Sequence, residues 1–205
     1  MSPQRLRRVA VIVAGWLAGA IAYPMLVLPP GDEMRLARPF MAFLLPAAAA
    51  TIDVLLQQLW SRDRLRDRDS AVEEVFDAIV FRCVAFVIAI QLTFLAVFAG
   101  VPGARNWAGR IVIVLFGLTI TSIGNLLPRT RPNVAIGFRT SRTMANRRLW
   151  METHRTAGYL TVALGIVIMI SGVALKHSKI GQAIGFGGLL AVTAFALTYQ
   201  AYRRA

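Results

Sequence analysis

Long apolar runs separated by short polar segments set the pattern of this chain of 205 residues. Each run is about 17–23 residues long, and a helix needs about 20 residues to cross the hydrocarbon core of a bilayer. The pattern therefore predicts an all-α polytopic membrane protein, a bundle of six transmembrane helices. The predicted spans are residues 9–28, 39–60, 78–99, 111–127, 157–175 and 180–201.

The composition agrees with this pattern, because 57% of the residues are hydrophobic, whereas soluble domains have roughly 45–50%. No polar stretch is long enough for a separate soluble domain. The first run follows three arginines and resembles a secretory signal peptide, but it is longer than the apolar region of such a peptide. We therefore predict that it is retained as the first span.

The basic residues are unevenly distributed between the predicted loops. Although the net charge is +13, sixteen of the 23 Lys and Arg residues fall in segments that share one side of the membrane. The positive-inside rule then predicts that both termini are cytoplasmic. We interpret the charge as a topology signal and an attraction to membrane lipids with anionic headgroups, and we expect no direct contact with nucleic acid.

Three regions follow from these spans. Residues 1–60 form the first two transmembrane helices, and residues 61–77 form a charged cytoplasmic connector. Residues 78–205 form a four-helix region with a cytoplasmic loop at residues 128–155.

Small residues recur at regular spacing in the fourth and fifth spans. Gly117, Thr121 and Asn125 are four residues apart, and three glycines are seven apart in the next span. Each set lies on one helical face, and small residues let membrane helices approach closely. The spacing therefore predicts close packing between the fourth span and the glycines of the fifth, which are Gly158, Gly165 and Gly172.

Few ionisable groups lie inside the predicted spans. Asp53 and Arg82 lie at similar depth in neighbouring antiparallel helices, so one interpretation is a structural ion pair between them. The other is that Arg82 reaches the interface while Asp53 binds water or Gln57. Amides such as Gln91 and Asn125 are expected to form interhelical hydrogen bonds.

The sequence gives little support to catalysis or metal binding. The two histidines, His154 and His177, are predicted on opposite sides of the membrane, and Cys83 is the sole cysteine. Nucleophile motifs, phosphate-binding loops and paired catalytic carboxylates are missing from the sequence. We therefore predict no metal, no cofactor and no enzymatic activity.

A polar, arginine-rich segment between the fourth and fifth spans contains a distinctive set of residues: Gly124-Asn125, Pro128, Pro132-Asn133, Ile136-Gly137, Arg139-Thr140, Thr143, Asn146, Trp150, Thr153-His154 and Gly158. With these residues at this spacing, the segment resembles the SdpI family of bacterial membrane proteins. The first two spans resemble, in degenerate form, the DUF1648 region that often precedes the SdpI region. This resemblance rests on Tyr23-Pro24, the prolines before Gly31-Asp32, and Leu44-Leu45-Pro46.

The segment departs from the family pattern at two places. Ser141 and Arg142 stand where the family commonly has Pro-Trp, and Arg147 and Arg148 stand where an acidic residue often follows the asparagine. If that acidic residue contacts a partner, this chain has lost or changed the partner.

The resemblance implies a role in immunity and signalling at the bacterial inner membrane. It implies resistance to a secreted, hydrophobic toxic peptide and sequestration of a cytoplasmic winged-helix autorepressor by the loop. The binding or signalling residues that it implies are Asn125, Pro132, Asn133, Gly137, Arg139, Thr140, Thr143, Asn146, Trp150 and His154.

Two alternatives remain open. In the first, the chain is a small membrane enzyme or carrier with a polar pocket at the cytoplasmic face. The six residues that could line this pocket are Asn125, Asn133, Arg139, Thr140, Trp150 and His154. In the second, the chain is an accessory membrane subunit whose glycine stripe binds a partner helix.

Overall fold

Every element that the structure describes is helical, which confirms the predicted fold class. This computed structural model describes residues 3–27, 37–63, 70–133, 135–174 and 187. Five of its helices are long and apolar enough to span a membrane. The predicted sixth span, residues 180–201, lies outside the described residues apart from Gly187.

The five long helices correspond to the first five predicted spans. A short helix, α5, and two single 3₁₀ turns at Tyr23–Met25 and Leu127–Arg129 accompany them. In chain order the helices are α1 (Pro3–Ala22), α2 (Ala37–Arg62), α3 (Ser70–Phe98), α4 (Ala104–Gly124), α5 (Ser141–Ala145) and α6 (Arg147–Ala174).

The polar segment is shorter than predicted, because α6 begins at Arg147 rather than near residue 157. The later part of the predicted loop 128–155 therefore forms the first turns of a helix. Trp150 and His154 are buried on one face of these turns, so tertiary packing extends the helix beyond its apolar run. We call residues 125–146, which connect α4 to α6, the connecting loop.

Gln91 links the three helices of the amino-terminal half. It is fully buried in α3, and its Nε2 donates hydrogen bonds to the carbonyl oxygens of Gly15 in α1 (2.9 Å) and Ala42 in α2 (2.8 Å). Gly19 makes this approach possible, because a Cβ there would overlap with the Ala42 carbonyl. The interhelical role predicted for Gln91 is thus confirmed.

The structure differs from the predicted Asp53–Arg82 ion pair. Asp53 instead contacts Arg8 of α1, with 2.8 Å between Nε and Oδ1, and Arg8 also donates to Asp77 of α3. The Arg8 side chain is only 1% exposed, so it requires counter-charges that α2 and α3 supply. We call Arg8, Asp53 and Asp77 the buried ion cluster.

Arg82 faces the other way, toward α4. Its Nε donates to Ser122 Oγ, and its Nη1 donates to the carbonyl of Ala78 at 2.7 Å. Because Arg82 remains half-buried, a hydroxyl and a carbonyl satisfy it without a carboxylate. Arg82 therefore connects α3 to α4, and Asp53 is paired with Arg8 instead.

The predicted close packing of small residues is confirmed between α4 and α6. A Cβ at Gly165 would overlap with Thr121 Oγ1 and lie 2.6 Å from the Gly117 carbonyl oxygen. One at Gly158 would lie 2.8 Å from the Gly124 carbonyl oxygen. The two backbones therefore touch along this stripe, and this contact fixes where the connecting loop leaves α4 and returns at α6.

Candidate functional site

Two stacked aromatic rings form the centre of the site. Trp150 and His154 are fully buried in the first turns of α6, with ring centroids 4.0 Å apart and planes inclined by 15°. Their spacing of four residues places them on one helical face, one turn apart. The indole Nε1 donates to the carbonyl oxygen of Thr130 at 3.1 Å, which attaches the start of the connecting loop to α6.

The His154 contacts determine its protonation state. The backbone N–H of Phe138 donates to Nε2 at 3.0 Å, so Nε2 carries no proton. The other ring nitrogen, Nδ1, lies 2.9 Å from the Trp150 carbonyl oxygen and is therefore the donor. The imidazole is neutral, and both of its nitrogens are used to hold the loop.

Gly137 lets the loop approach these rings. Its φ angle is +112°, which favours glycine, and a Cβ would overlap with His154 Nε2 and lie 3.1 Å from Trp150 Cζ2. The position therefore excludes side chains both by backbone conformation and by space. This is the physical reason for the glycine that precedes Phe138.

Asn133 forms the turn that precedes this contact. It is 3% exposed, and its Oδ1 accepts hydrogen bonds from the backbone N–H groups of Ala135 (2.9 Å) and Ile136 (2.7 Å). Asparagine side chains commonly stabilise turns in this way. The turn follows the half-buried Pro132 and directs Ala135 and Ile136 toward α2 and α3.

The connecting loop thereby contacts the amino-terminal half of the protein. Ala135 and Ile136 pack against a core cluster that includes Trp60 of α2 and Phe76 of α3, whose rings stack 4.2 Å apart. The described loop therefore touches α6 through its glycine turn and α2–α3 through Ile136. It connects the two halves at one end of the bundle.

Two capping arrangements complete the loop. Thr140 and Thr143 form a reciprocal capping box at the start of α5, with hydrogen bonds of 2.9 and 3.1 Å. Asn146 then accepts from the backbone N–H groups of Arg148 (2.9 Å) and Leu149 (3.1 Å), which starts α6. Both arrangements supply acceptors for the otherwise unpaired N–H groups of a helix start.

Most of the predicted site residues therefore maintain the shape of the loop. Asn133, Gly137, Thr140, Thr143, Asn146, Trp150 and His154 make the contacts just described. Asn125 differs, because it ends α4 with an exposed side chain rather than one between helices. Arg139 is also exposed, beside the buried turn.

The exposed surface of the connecting loop and of the start of α6 is basic. Arg129, Arg139, Arg142 and Arg147 are exposed. Arg148 is exposed as well, and its Nε donates to Glu152 at 2.9 Å. Basic groups thus lie outside and the polar hydrogen-bonding groups lie inside.

The described geometry offers little space for a substrate among the loop residues. Trp150 and His154 are fully buried, and their ring nitrogens are engaged. A cavity between the loop and the α2–α3 end has a volume of about 10 Å³, enough for about one water molecule. Of the six proposed pocket residues, Asn133 lines this cavity and the other five do not.

Sequence reasoning missed several residues that matter here. Thr130 and Phe138 supply backbone partners for the two buried rings, and a buried indole N–H does indicate that some partner is needed. Arg8 and Asp77 carried no such signal, because Arg8 has the position of a topology-determining arginine and Asp77 that of an acidic residue near a helix start.

Comparison with known families is consistent with this site. Residues 129–199 match the family model described as the SdpI/YfhL protein family. This match contains nearly the whole connecting loop and excludes the first two helices, so their resemblance to DUF1648 stays a prediction. Comparison with curated proteins and with solved structures gives no match.

Proposed function

We propose that this chain, an SdpI family membrane protein by its residues 129–199, is an immunity and signalling protein of the bacterial cell membrane. Its connecting loop would be the docking surface for a cytoplasmic winged-helix repressor, and its helices would bind a hydrophobic toxic peptide. One observation carries this proposal: the family residues hold the loop in a fixed shape that exposes basic side chains.

The charge distribution supports a protein partner for the loop. Arg139 is exposed just before the capping box and Arg142 is exposed between its two threonines, so a partner can reach both without unfolding the loop. A surface of one sign attracts a partner of the opposite sign and sets its orientation. An acidic face on a repressor fits this surface.

Contacts between the loop and the amino-terminal half support coupling to a toxic peptide. Ile136 packs on the ends of α2 and α3, so a displacement of these helices displaces the loop as well. A peptide that binds preferentially to one arrangement of the helices shifts the population of loop conformations. In this proposal immunity and signalling use the same movement.

The two alternatives receive less support from the geometry. A cytoplasmic enzyme or carrier pocket requires access to Trp150 and His154, which the loop covers. An accessory role for the glycine stripe requires an open face at Gly165, which α4 occupies. We therefore propose a non-enzymatic function.

The signalling part can be tested by affinity capture from detergent-solubilised membranes. We expect the wild-type chain to retain a winged-helix transcription factor, identified by mass spectrometry. The double variant Arg139→Ala/Arg142→Ala should lose most of it, because both substitutions remove exposed charge. The matched control Arg148→Ala removes an exposed arginine of α6, outside the connecting loop, and should retain the factor.

Equal recovery from the double variant and the control would contradict docking through Arg139 and Arg142. Immunity is tested separately, by the survival of cells that produce the chain during challenge with hydrophobic antimicrobial peptides. Survival with the double variant but not with Trp150→Ala would show that immunity needs the folded loop without repressor docking. A lack of protection by the wild-type chain against all peptides tested would contradict the immunity role.

A further inference from the structure

An exposed apolar lane runs along α6 on the side that does not face the glycine stripe. Its side chains are 42–69% exposed and recur at spacings of three, four or seven residues, so they share one face. They are Tyr159, Leu160, Ile166, Val167, Ile170 and Val173. From residue 159 to residue 173 the helix rises about 21 Å at 1.5 Å per residue, more than half of a hydrocarbon core of about 30 Å.

A polar pair lies at the end of this lane nearest to the connecting loop. Arg155 is exposed, its Nε donates to the Tyr159 hydroxyl at 3.4 Å, and its guanidinium carbon is 5.9 Å from the centroid of the same ring. The tyrosine thus holds the arginine in place. A guanidinium has five N–H groups, so Arg155 still has a pair that can bind two oxygens of one phosphate.

The surroundings of this pair are basic. Arg147 and Arg148 lie in the first turn of α6, and Glu152, the acidic residue nearby on this helix, is paired with Arg148 at 2.9 Å. Arg147 and Arg148, in the turns of α6 that precede Arg155, therefore favour a ligand with net negative charge. They disfavour a zwitterionic headgroup, whose cationic end would face arginines.

We propose that Arg155 and Tyr159 form a binding site for one anionic phospholipid. The guanidinium would bind the phosphodiester, the tyrosine hydroxyl would contribute a second hydrogen bond, and an acyl chain would lie along the apolar lane. This site is on the side of α6, separate from Arg139 and Arg142. It is therefore independent of the proposed repressor docking.

Native mass spectrometry of the purified full-length chain tests this site. The chain would be equilibrated with equal amounts of phosphatidylglycerol and phosphatidylcholine in detergent. We expect the wild type to retain phosphatidylglycerol in preference to phosphatidylcholine. In Arg155→Ala the ratio of the two bound lipids should fall about fivefold, which corresponds to about 1 kcal/mol for one basic residue near an anionic surface. Tyr159→Phe should reduce the preference for phosphatidylglycerol by a smaller factor.

Arg7→Ala is the matched control, because it removes an exposed arginine of α1, a helix that does not carry the proposed site. It should retain the wild-type preference, whereas an equal loss in Arg7→Ala and Arg155→Ala would overturn the site in favour of general electrostatic attraction. A wild type without preference would also overturn it. Inorganic phosphate at millimolar concentration should leave the lipid bound, and its displacement by phosphate would overturn a phospholipid as the ligand. Circular dichroism confirms that each variant is folded.

Discussion

At the scale of single residues, the fit between Gly137 and His154 determines whether the connecting loop is closed. The Phe138 N–H reaches the imidazole only because nothing larger than hydrogen stands at residue 137. The imidazole, in turn, occupies the volume that a side chain at residue 137 would need. A change at either residue therefore disturbs the position of the other.

Gly137→Ala should open the loop while the long helices persist. The added methyl group overlaps with His154 Nε2, so the Phe138 hydrogen bond and the aromatic contact are lost. We expect trypsin to cleave after Arg139 and Arg142 at least tenfold faster than in the wild type, as followed by mass spectrometry. Helix content, measured by circular dichroism, should stay nearly constant.

Gly100→Ala provides the control for backbone strain. Gly100 also has a positive φ, +74°, but nothing lies within 4 Å of a Cβ there. Gly100→Ala should therefore lower the stability by only about 1–2 kcal/mol, the cost of a left-handed backbone conformation. Tryptic cleavage of the loop should not change. Equal sensitivity of the two variants would mean that the imidazole contact does not close the loop.

At the scale of elements, the α4–α6 pair supports the site. The loop begins at the end of α4 and returns at the start of α6, so its two ends are held at a distance set by backbone contact along the glycine stripe. In membranes such contact depends on van der Waals packing rather than on the hydrophobic effect. A bulky residue in the stripe should therefore disturb the loop from a distance.

Gly165→Leu tests this dependence. A leucine must displace Thr121 and the Gly117 carbonyl, and overpacking of this kind typically costs about 1–3 kcal/mol. We expect a lower midpoint of thermal unfolding in detergent together with faster tryptic cleavage of the loop. Ala163→Leu, on the exposed face of the same helix, should change neither, and a similar loss of stability there would contradict the stripe as its cause.

Elements that depend on local periodicity could be predicted from the sequence. Apolar run length predicted the five described spans, and the spacing of small residues predicted the contact between α4 and α6. The resemblance to a family located the loop. The hydrogen bonds between the loop and the two buried rings could not be predicted, because each joins a carbonyl or N–H group of one residue to a ring many residues away, as between Phe138 and His154.

The predicted ion pair between Asp53 and Arg82 also depended on information that the sequence does not contain. Asp53 and Arg82 are at similar depth in adjacent spans, and the predicted ion pair rested on this similarity alone. The rotation of each helix about its axis decides which groups meet, and it points Arg82 toward Ser122. Arg8 looked like a residue of the membrane surface, and only the packing of α1 between its neighbours buries it.

At the scale of the whole molecule, two groups of helices pack together through α3 and α4, and the connecting loop joins them at one end. The first is α1–α3, held by Gln91 and by the buried ion cluster, and the second is α4 with α6. Arg82 and Ile136 connect them. Loss of the ion cluster should therefore weaken the platform on which the loop rests.

Arg8→Ala should be among the most destabilising substitutions in the amino-terminal half. It leaves two carboxylates without their guanidinium, and removal of one partner from a buried ion pair costs about 3–5 kcal/mol. We expect a marked fall in the midpoint of unfolding, measured by tryptophan fluorescence in detergent. The neighbouring exposed Arg7→Ala should have little effect.

The variant Arg8→Leu/Asp53→Asn/Asp77→Asn separates pairing from packing. Because it removes the charges together, it should recover most of the lost stability. If it is no more stable than Arg8→Ala, then the packing of the arginine side chain matters rather than its charge.

The buried ion cluster also has a consequence for the order in which the protein is made. Asp77 follows Arg8 by 69 residues, so α1 and α2 leave the ribosome while one counter-charge is still to be synthesised. Arg8 can therefore contact both carboxylates only after α3 has been synthesised. We expect the third span to complete the insertion of the amino-terminal half, because it brings the second counter-charge for a buried arginine.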